Sequence, residues 1–67
     1  MTIFLNDTLT TLPHKQMTLS DLAKWKNLPS QGTAIALNDK LIKQDLWSVT
    51  NLNDQDRVTV ITAAFGG

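Results

Sequence analysis

Arg57-Val58-Thr59-Val60-Ile61-Thr62-Ala63-Ala64-Phe65-Gly66-Gly67 is the stretch from which the rest of this 67-residue chain is read. The unbroken β-branched run from Val58 to Thr62 is stiff at χ1 and suits a pleated strand, so Arg57 to Ala63 reads as the last strand of a sheet. That strand runs straight into two glycines and a free carboxyl end. Glycine has no β-carbon, so the pair lets the backbone lie flat in a narrow channel, adopt dihedrals closed to other residues and present an unhindered terminal carbonyl. Extended at ~3.3–3.6 Å per residue, Ala63 to Gly67 reach about 17 Å beyond the last packed turn. Any chemistry at this end belongs to the main chain, not to a side chain.

Upstream, the polar cluster Asn51 to Asp56 reads as a loop, and Gln44-Asp45-Leu46-Trp47 as a turn of helix. Ala34-Ile35-Ala36-Leu37 and Leu41-Ile42 bracket Asn38-Asp39-Lys40, a tight hairpin signal. The same signal recurs at the start of the chain, where Thr2-Ile3-Phe4-Leu5 and Leu9-Thr10-Thr11-Leu12 flank Asn6-Asp7 and Pro13 stops the second strand. Between the hairpins, Thr18-Leu19-Ser20-Asp21 is a capping box with Asp in place of Glu. The helix it opens ends near Asn27, ahead of Pro29 and Gly32, and places Leu19, Leu22, Ala23 and Lys26 on one face with Trp25 at its edge. Two hairpins separated by one helix bury that helix by laying it across the sheet. The expectation is an α+β fold, ββαβββ, with a mixed sheet of four to five strands packed on one helix in a single domain, 1–67. Alternation predicts a core of Ile3, Leu5, Leu19, Leu22, Ile35, Leu37, Leu52, Val58 and Val60. It turns Ile61, Ala63 and Phe65 to the opposite face, where Phe4 joins them from the first strand. These four are the predicted partner-binding patch, leading to a flexible tail at 64–67.

Composition narrows the function classes. Hydrophobic residues make up 42% and charged residues 18%, as in an ordinary folded protein, and at this length the core is small. Six Lys and Arg balance six acidic residues, so the electrostatic footprint of a nucleic-acid or anionic-membrane binder is missing. The apolar run Ala34 to Leu37 is far too short to span a membrane and the N-terminus lacks a signal-peptide pattern, which places the chain in the cytoplasm. Cysteine is absent, removing disulfides, thiolate metal sites and a cysteine nucleophile together. The acidic residues are all aspartates at turns or the helix start, where a short carboxylate bonds nearby amides. They read as structural punctuation rather than as an acid–base pair. His14 has no second imidazole to share a metal and reads as a solvated loop residue; Trp25 and Trp47 read as core or core-edge residues.

The element order, the length, Trp47 after the fourth strand, the Asp54-Gln55-Asp56 turn, the β-branched final strand and the Gly66-Gly67 end together resemble the ThiS family, sulfur carriers of thiamine biosynthesis with a ubiquitin-like β-grasp fold. The resemblance spans essentially the whole chain and is most specific over Asn38 to Trp47 and Asp54 to Gly67. The related molybdopterin-synthase small subunits share fold and tail but tend to be longer. Two positions depart from the family pattern. Gln55 stands where glycine is common, implying either a different turn or a strained one costing on the order of 1 kcal/mol. Phe65 stands where a small or aliphatic residue is usual, implying either partner enzymes with a wider channel matched to it or a different acceptor for the tail.

The resemblance implies a protein substrate rather than an enzyme, with no catalytic residue, no metal and no bound cofactor of its own. A carboxylate resists nucleophilic attack, so a ThiF-like adenylating enzyme would use ATP to convert the Gly67 carboxylate into an acyl-adenylate. Sulfur from a persulfide donor would replace AMP to leave a thiocarboxylate, and a ThiG-like thiazole synthase would receive it. Gly67 is then the modified residue, Gly66 and Phe65 the tail that carries it, and the free protein a monomer. The other readings are a protein modifier conjugated to lysines and a plain β-grasp interaction module.

Overall fold

The computed structural model of the chain describes residues 1–62. In it, β1 (Thr2–Leu5) and β2 (Thr8–Thr11) form one antiparallel hairpin, and β3 (Thr33–Leu37) and β4 (Lys40–Ile42) form another. The helix α1 (Leu19–Trp25) lies between them in sequence, a 3₁₀ helix spans Gln44–Val49, and β5 (Arg57–Thr62) comes last. The strands build one sheet in the order β2-β1-β5-β3-β4, with β5 at its centre, parallel to β1 and antiparallel to β3. This is the expected mixed sheet grasping one helix.

Local chemistry explains each turn. Both hairpins put positive φ at both central residues, 48° and 65° at Asn6 and Asp7 and 50° and 70° at Asn38 and Asp39. That geometry matches the twist of the flanking strands, and Asn and Asp tolerate it better than other residues bearing a β-carbon. At the start of α1 the capping box is complete: the Asp21 N–H donates to Thr18 Oγ1 at 3.1 Å and the Thr18 N–H donates to the Asp21 carboxylate at 2.9 Å. The helix ends at Trp25, short of Asn27, through a left-handed cap. Asn27 takes φ 55°, its N–H donates to Lys24 O at 3.1 Å, and the Leu28 N–H donates to Ala23 O at 2.9 Å. This is the Schellman arrangement with Asn in the usual glycine position and Leu28 folded back on the core. Lys26 therefore falls on the cap and is exposed.

The core fills the space between α1 and the sheet. Ile3, Leu19, Leu22, Ile35, Leu52 and Val58 are buried as expected, and Leu5, Leu37 and Val60 are half-buried against them. Leu12, Met17 and Trp47 join the buried set. Leu12 is drawn in because its N–H donates to Met1 O at 2.8 Å, and Met17 because its carbonyl accepts from Leu52 N–H at 2.8 Å. The Trp47 indole N–H donates to Ile42 O at 3.0 Å, satisfying its one polar atom. Trp25, 40% exposed, stays at the edge of the core.

The loop before β5 ties both hairpins to that strand. Asp54 accepts from Thr2 N–H at 2.7 Å, and the buried Asp56 carboxylate accepts from Asn38 Nδ2 at 3.0 Å and from Asn53 N–H at 2.7 Å. Gln55 sits between them at φ 71° and donates its N–H to Thr2 O at 2.6 Å. Of the two alternatives for this turn, the chain keeps the glycine-type geometry and accepts the strain, about 1–2 kcal/mol for a residue with a β-carbon.

Candidate functional site

Cross-strand partners point to the same side of a sheet, so the register defines the surface opposite the helix. Val58 and Val60 of β5 face α1; Arg57, Thr59 and Ile61 face away. Phe4 pairs with both Leu9 and Arg57, Ala36 with both Thr59 and Leu41, and Ala34 with Ile61. The outer face is therefore three rows: Leu9, Phe4 and Arg57; then Thr59, Ala36 and Leu41; then Ile61 and Ala34. Leu9 is 63% exposed, Leu41 68% and Ile61 60%, while Phe4 is half-buried. Three exposed aliphatic side chains and the half-buried Phe4 thus share one face of the sheet.

Phe4 and Ile61 share this face, at opposite ends of it. Ile61 lies four positions along β5 from Arg57, the partner of Phe4, which is about 13 Å of strand. Ala34 and Ile61 are the outer-face residues nearest the exit of β5, and Leu41 lies on β4 of the second hairpin. Ala63 and Phe65, the other expected members of the patch, and the Gly66-Gly67 end lie outside the described residues, as does the expected flexibility of 64–67. Leu9 and Leu41 were not singled out from the sequence, although the signal was present: a two-residue turn forces Phe4 opposite Leu9 and Ala36 opposite Leu41.

Charge is sparse on this surface. Arg57 forms an ion pair with Asp39, both well exposed, a contact worth no more than about 1 kcal/mol. Elsewhere, Asp21 has its carboxyl held below the ordinary range by the backbone and side-chain hydrogen bonds from Thr18, and Asp54 by the backbone hydrogen bond from Thr2, then that from the Gln55 side chain. Both carboxylates are engaged in holding turns. Among the described residues no group of three or more His, Cys, Asp or Glu is placed to hold a metal, and His14 is exposed. A broad depression between α1 and the 3₁₀ helix is lined by hydroxyls, amides, Ala23, Leu28, Lys24 and Trp47, without a carboxylate or an imidazole among them. No helix among the described residues is long and apolar enough to cross a membrane.

A ubiquitin-like β-grasp with β5 at the centre of its sheet, followed in the sequence by Gly66-Gly67, has the architecture of a small carrier protein. The comparisons agree. The model of the ThiS family matches residues 3–67, and the chain belongs to that family. It is 40% identical over 53 residues to the protein ycf40 of Pyropia yezoensis, an alignment covering 79% of this chain and 75% of that one. The crystal structure of the thiamine biosynthesis protein ThiS from Geobacter metallireducens superposes with a TM-score of 0.85 over 100% of both chains at 17% identity. The solution structure of a thiamine biosynthesis protein from the same organism gives 0.86 over 100% of this chain and 88% of that one, again at 17% identity. At such identity the two structures speak for the fold. Family membership makes the chain a sulfur carrier of the ThiS type, a bearer of a C-terminal thiocarboxylate and not a catalyst.

Proposed function

We propose that Gly67 is the residue on which this carrier takes up sulfur and that the sulfur goes to thiazole formation in thiamine biosynthesis. A carboxylate oxygen of Gly67 attacks the α-phosphorus of ATP on a ThiF-like adenylating enzyme, releasing pyrophosphate and giving the acyl-adenylate. The terminal sulfur of a persulfide attacks the acyl carbon and AMP leaves. A thiol then attacks the donor's remaining sulfur in the acyl disulfide, freeing the thiocarboxylate and leaving a disulfide between the donor sulfur and the attacking thiol. A ThiG-like thiazole synthase receives the product. The carrier supplies an unhindered carbonyl and a surface, and its partners supply the catalytic groups. The chain forms one domain over 1–67 and acts in the cytoplasm, where the adenylating step draws on ATP.

The single observation that carries this reading is the position of β5. The strand that precedes Gly66-Gly67 in the sequence is the central one of the sheet, paired with β1 on one edge and β3 on the other. The outer face, with Phe4 and Ile61 joined by Leu9 and Leu41, is the surface the partners grip; Ala63 and Phe65, which strand alternation assigns to it, lie outside the described residues. Intact mass after incubation with ATP, a ThiF-like enzyme and a persulfide donor tests the chemistry. The expected change is the exchange of one oxygen for one sulfur. An unchanged mass with a competent partner refutes the reading, and conjugates on lysines of other proteins make the chain a modifier instead.

A further inference from the structure

β5 outlasts the strand that flanks it on one side. Parallel pairing sets Phe4 beside Arg57 and Leu5 beside Val58, after which Asn6 and Asp7 turn the chain away into β2. The Asn6 N–H still donates to Val58 O at 2.9 Å. Alternate residues of a strand send their backbone groups to the same edge, so the next groups of β5 on this edge are the N–H and C=O of Val60. No backbone of β1 continues far enough to meet them.

The side chain of Asn6 meets them instead. Its Oδ1 accepts from Val60 N–H at 2.7 Å and its Nδ2 donates to Val60 O at 3.2 Å. A primary carboxamide carries the donor and the acceptor of a peptide unit, so Asn6 adds one more peptide to β1 without extending the strand. The pair of bonds also fixes the amide's orientation, since the flipped form would oppose donor to donor and acceptor to acceptor. Asn38 plays the mirrored part at the other end of β5: its Oδ1 accepts from Arg57 N–H at 2.9 Å and its own N–H donates to Arg57 O at 2.7 Å. Both hairpin asparagines therefore grip the central strand, one where it enters the sheet and one where it leaves.

We propose that Asn6 is a positioning residue: its clamp on Val60 sets the point from which the segment after β5 is presented to the enzymes that act on its end. The proposal rests on reading Gly67 as the modified group. With Asn6 in place, β5 is held on both edges as far as Val60; without it, the two-sided hold ends at Val58 and Val60 to Thr62 depend on β3 alone. A strand end that frays lowers the fraction of molecules competent to dock, and the apparent affinity falls by that fraction while the bound complex reacts at its usual rate.

The test compares Asn6→Gly with Asn38→Gly. Glycine keeps the positive φ of both positions and removes the carboxamide; Asn38→Gly is the corresponding loss at the end of β5 remote from the tail, and since it also takes the Asn38 Nδ2 bond from the buried Asp56 carboxylate it is the more severe control. Hydrogen exchange reports the clamp, and steady-state adenylation by a ThiF-like enzyme reports presentation. In Asn6→Gly the Val60 amide should exchange about tenfold faster or more while the helical Leu22 amide keeps its protection relative to Asn38→Gly. KM for the carrier should rise about 3- to 10-fold with kcat within about twofold, as a loss of competent population demands. Asn6→Asp, which keeps the acceptor and loses the donor, should fall between. Unchanged exchange at Val60 overturns the clamp, and a KM shift that Asn38→Gly reproduces overturns the positioning role. A wild-type chain that is never adenylated refutes the functional reading and the presentation role with it, while the Val60 exchange rate judges the clamp separately.

Discussion

Replacing Ile61 with Asp should weaken binding to the adenylating enzyme and leave the fold intact. Ile61 points away from α1 and is 60% exposed, so the substitution opens no cavity; its folding cost is limited to strand preference, within about 1 kcal/mol. Full burial of an isoleucine side chain is worth about 1.5–3 kcal/mol, and the exposed share available to a partner is then about 1–2 kcal/mol. That corresponds to about 5- to 30-fold in Kd. A carboxylate forced into the same apolar contact adds its own desolvation cost, so the expected loss is at least tenfold. Titration calorimetry with the adenylating enzyme measures it, with circular dichroism confirming the fold. Leu46→Asp is the control: Leu46 is also an exposed aliphatic residue, but it sits on the 3₁₀ helix, away from the outer face. Unchanged affinity in folded Ile61→Asp would remove the outer face from the mechanism. An equal loss in Leu46→Asp would show that any added charge weakens the complex, and the argument from register would fail.

Leu22→Ala removes a fully buried side chain from the middle of the core and should cost about 2–5 kcal/mol, a large share of what a domain this small possesses, read as a lower urea midpoint by tryptophan fluorescence. Gln55→Gly should stabilise the protein by up to about 1 kcal/mol, because glycine adopts φ 71° without a β-carbon penalty; no gain in midpoint would mean that the turn is unstrained. Asp21 and Asp54 have carboxyls depressed in the folded state by backbone hydrogen bonds, so the unfolded chain binds more protons in acid. Their contribution is fully present above the unfolded Asp value of about 4 and is lost as pH falls through the lower folded values; Asp21→Asn with Asp54→Asn should flatten the acid limb of the urea midpoint against pH.

Local interactions were legible in the sequence because they involve residues a few positions apart. The two Asn-Asp turns, the Thr18–Asp21 capping box, the β-branched final strand and the alternation that buries Ile3, Ile35 and Val58 all follow from backbone sterics and side-chain period, and the structure shows each of them. The resemblance to the ThiS family rested on the same features and on the glycine end, and the family match confirms it. Tertiary structure decided whatever depended on which strands become neighbours. Alternation assigns Phe4 and Ile61 to one face, yet only the parallel register of β1 on β5 places them at its opposite ends. Helical spacing groups Lys26 with Leu19, Leu22 and Ala23, but the left-handed turn at Asn27 ends the helix at Trp25 and leaves Lys26 on the cap. Leu12 and Met17 are buried because backbone bonds to Met1 and Leu52 draw their loops over the core, and Asp56 because Asn38 and Asn53 surround its carboxylate. The clamp of Asn6 on Val60 joins residues 54 positions apart, and nothing in either local sequence specifies the other. Such contacts arise from the closing of a sheet around its last strand, when distant segments become neighbours and backbone groups left without a strand partner take the nearest amide that fits.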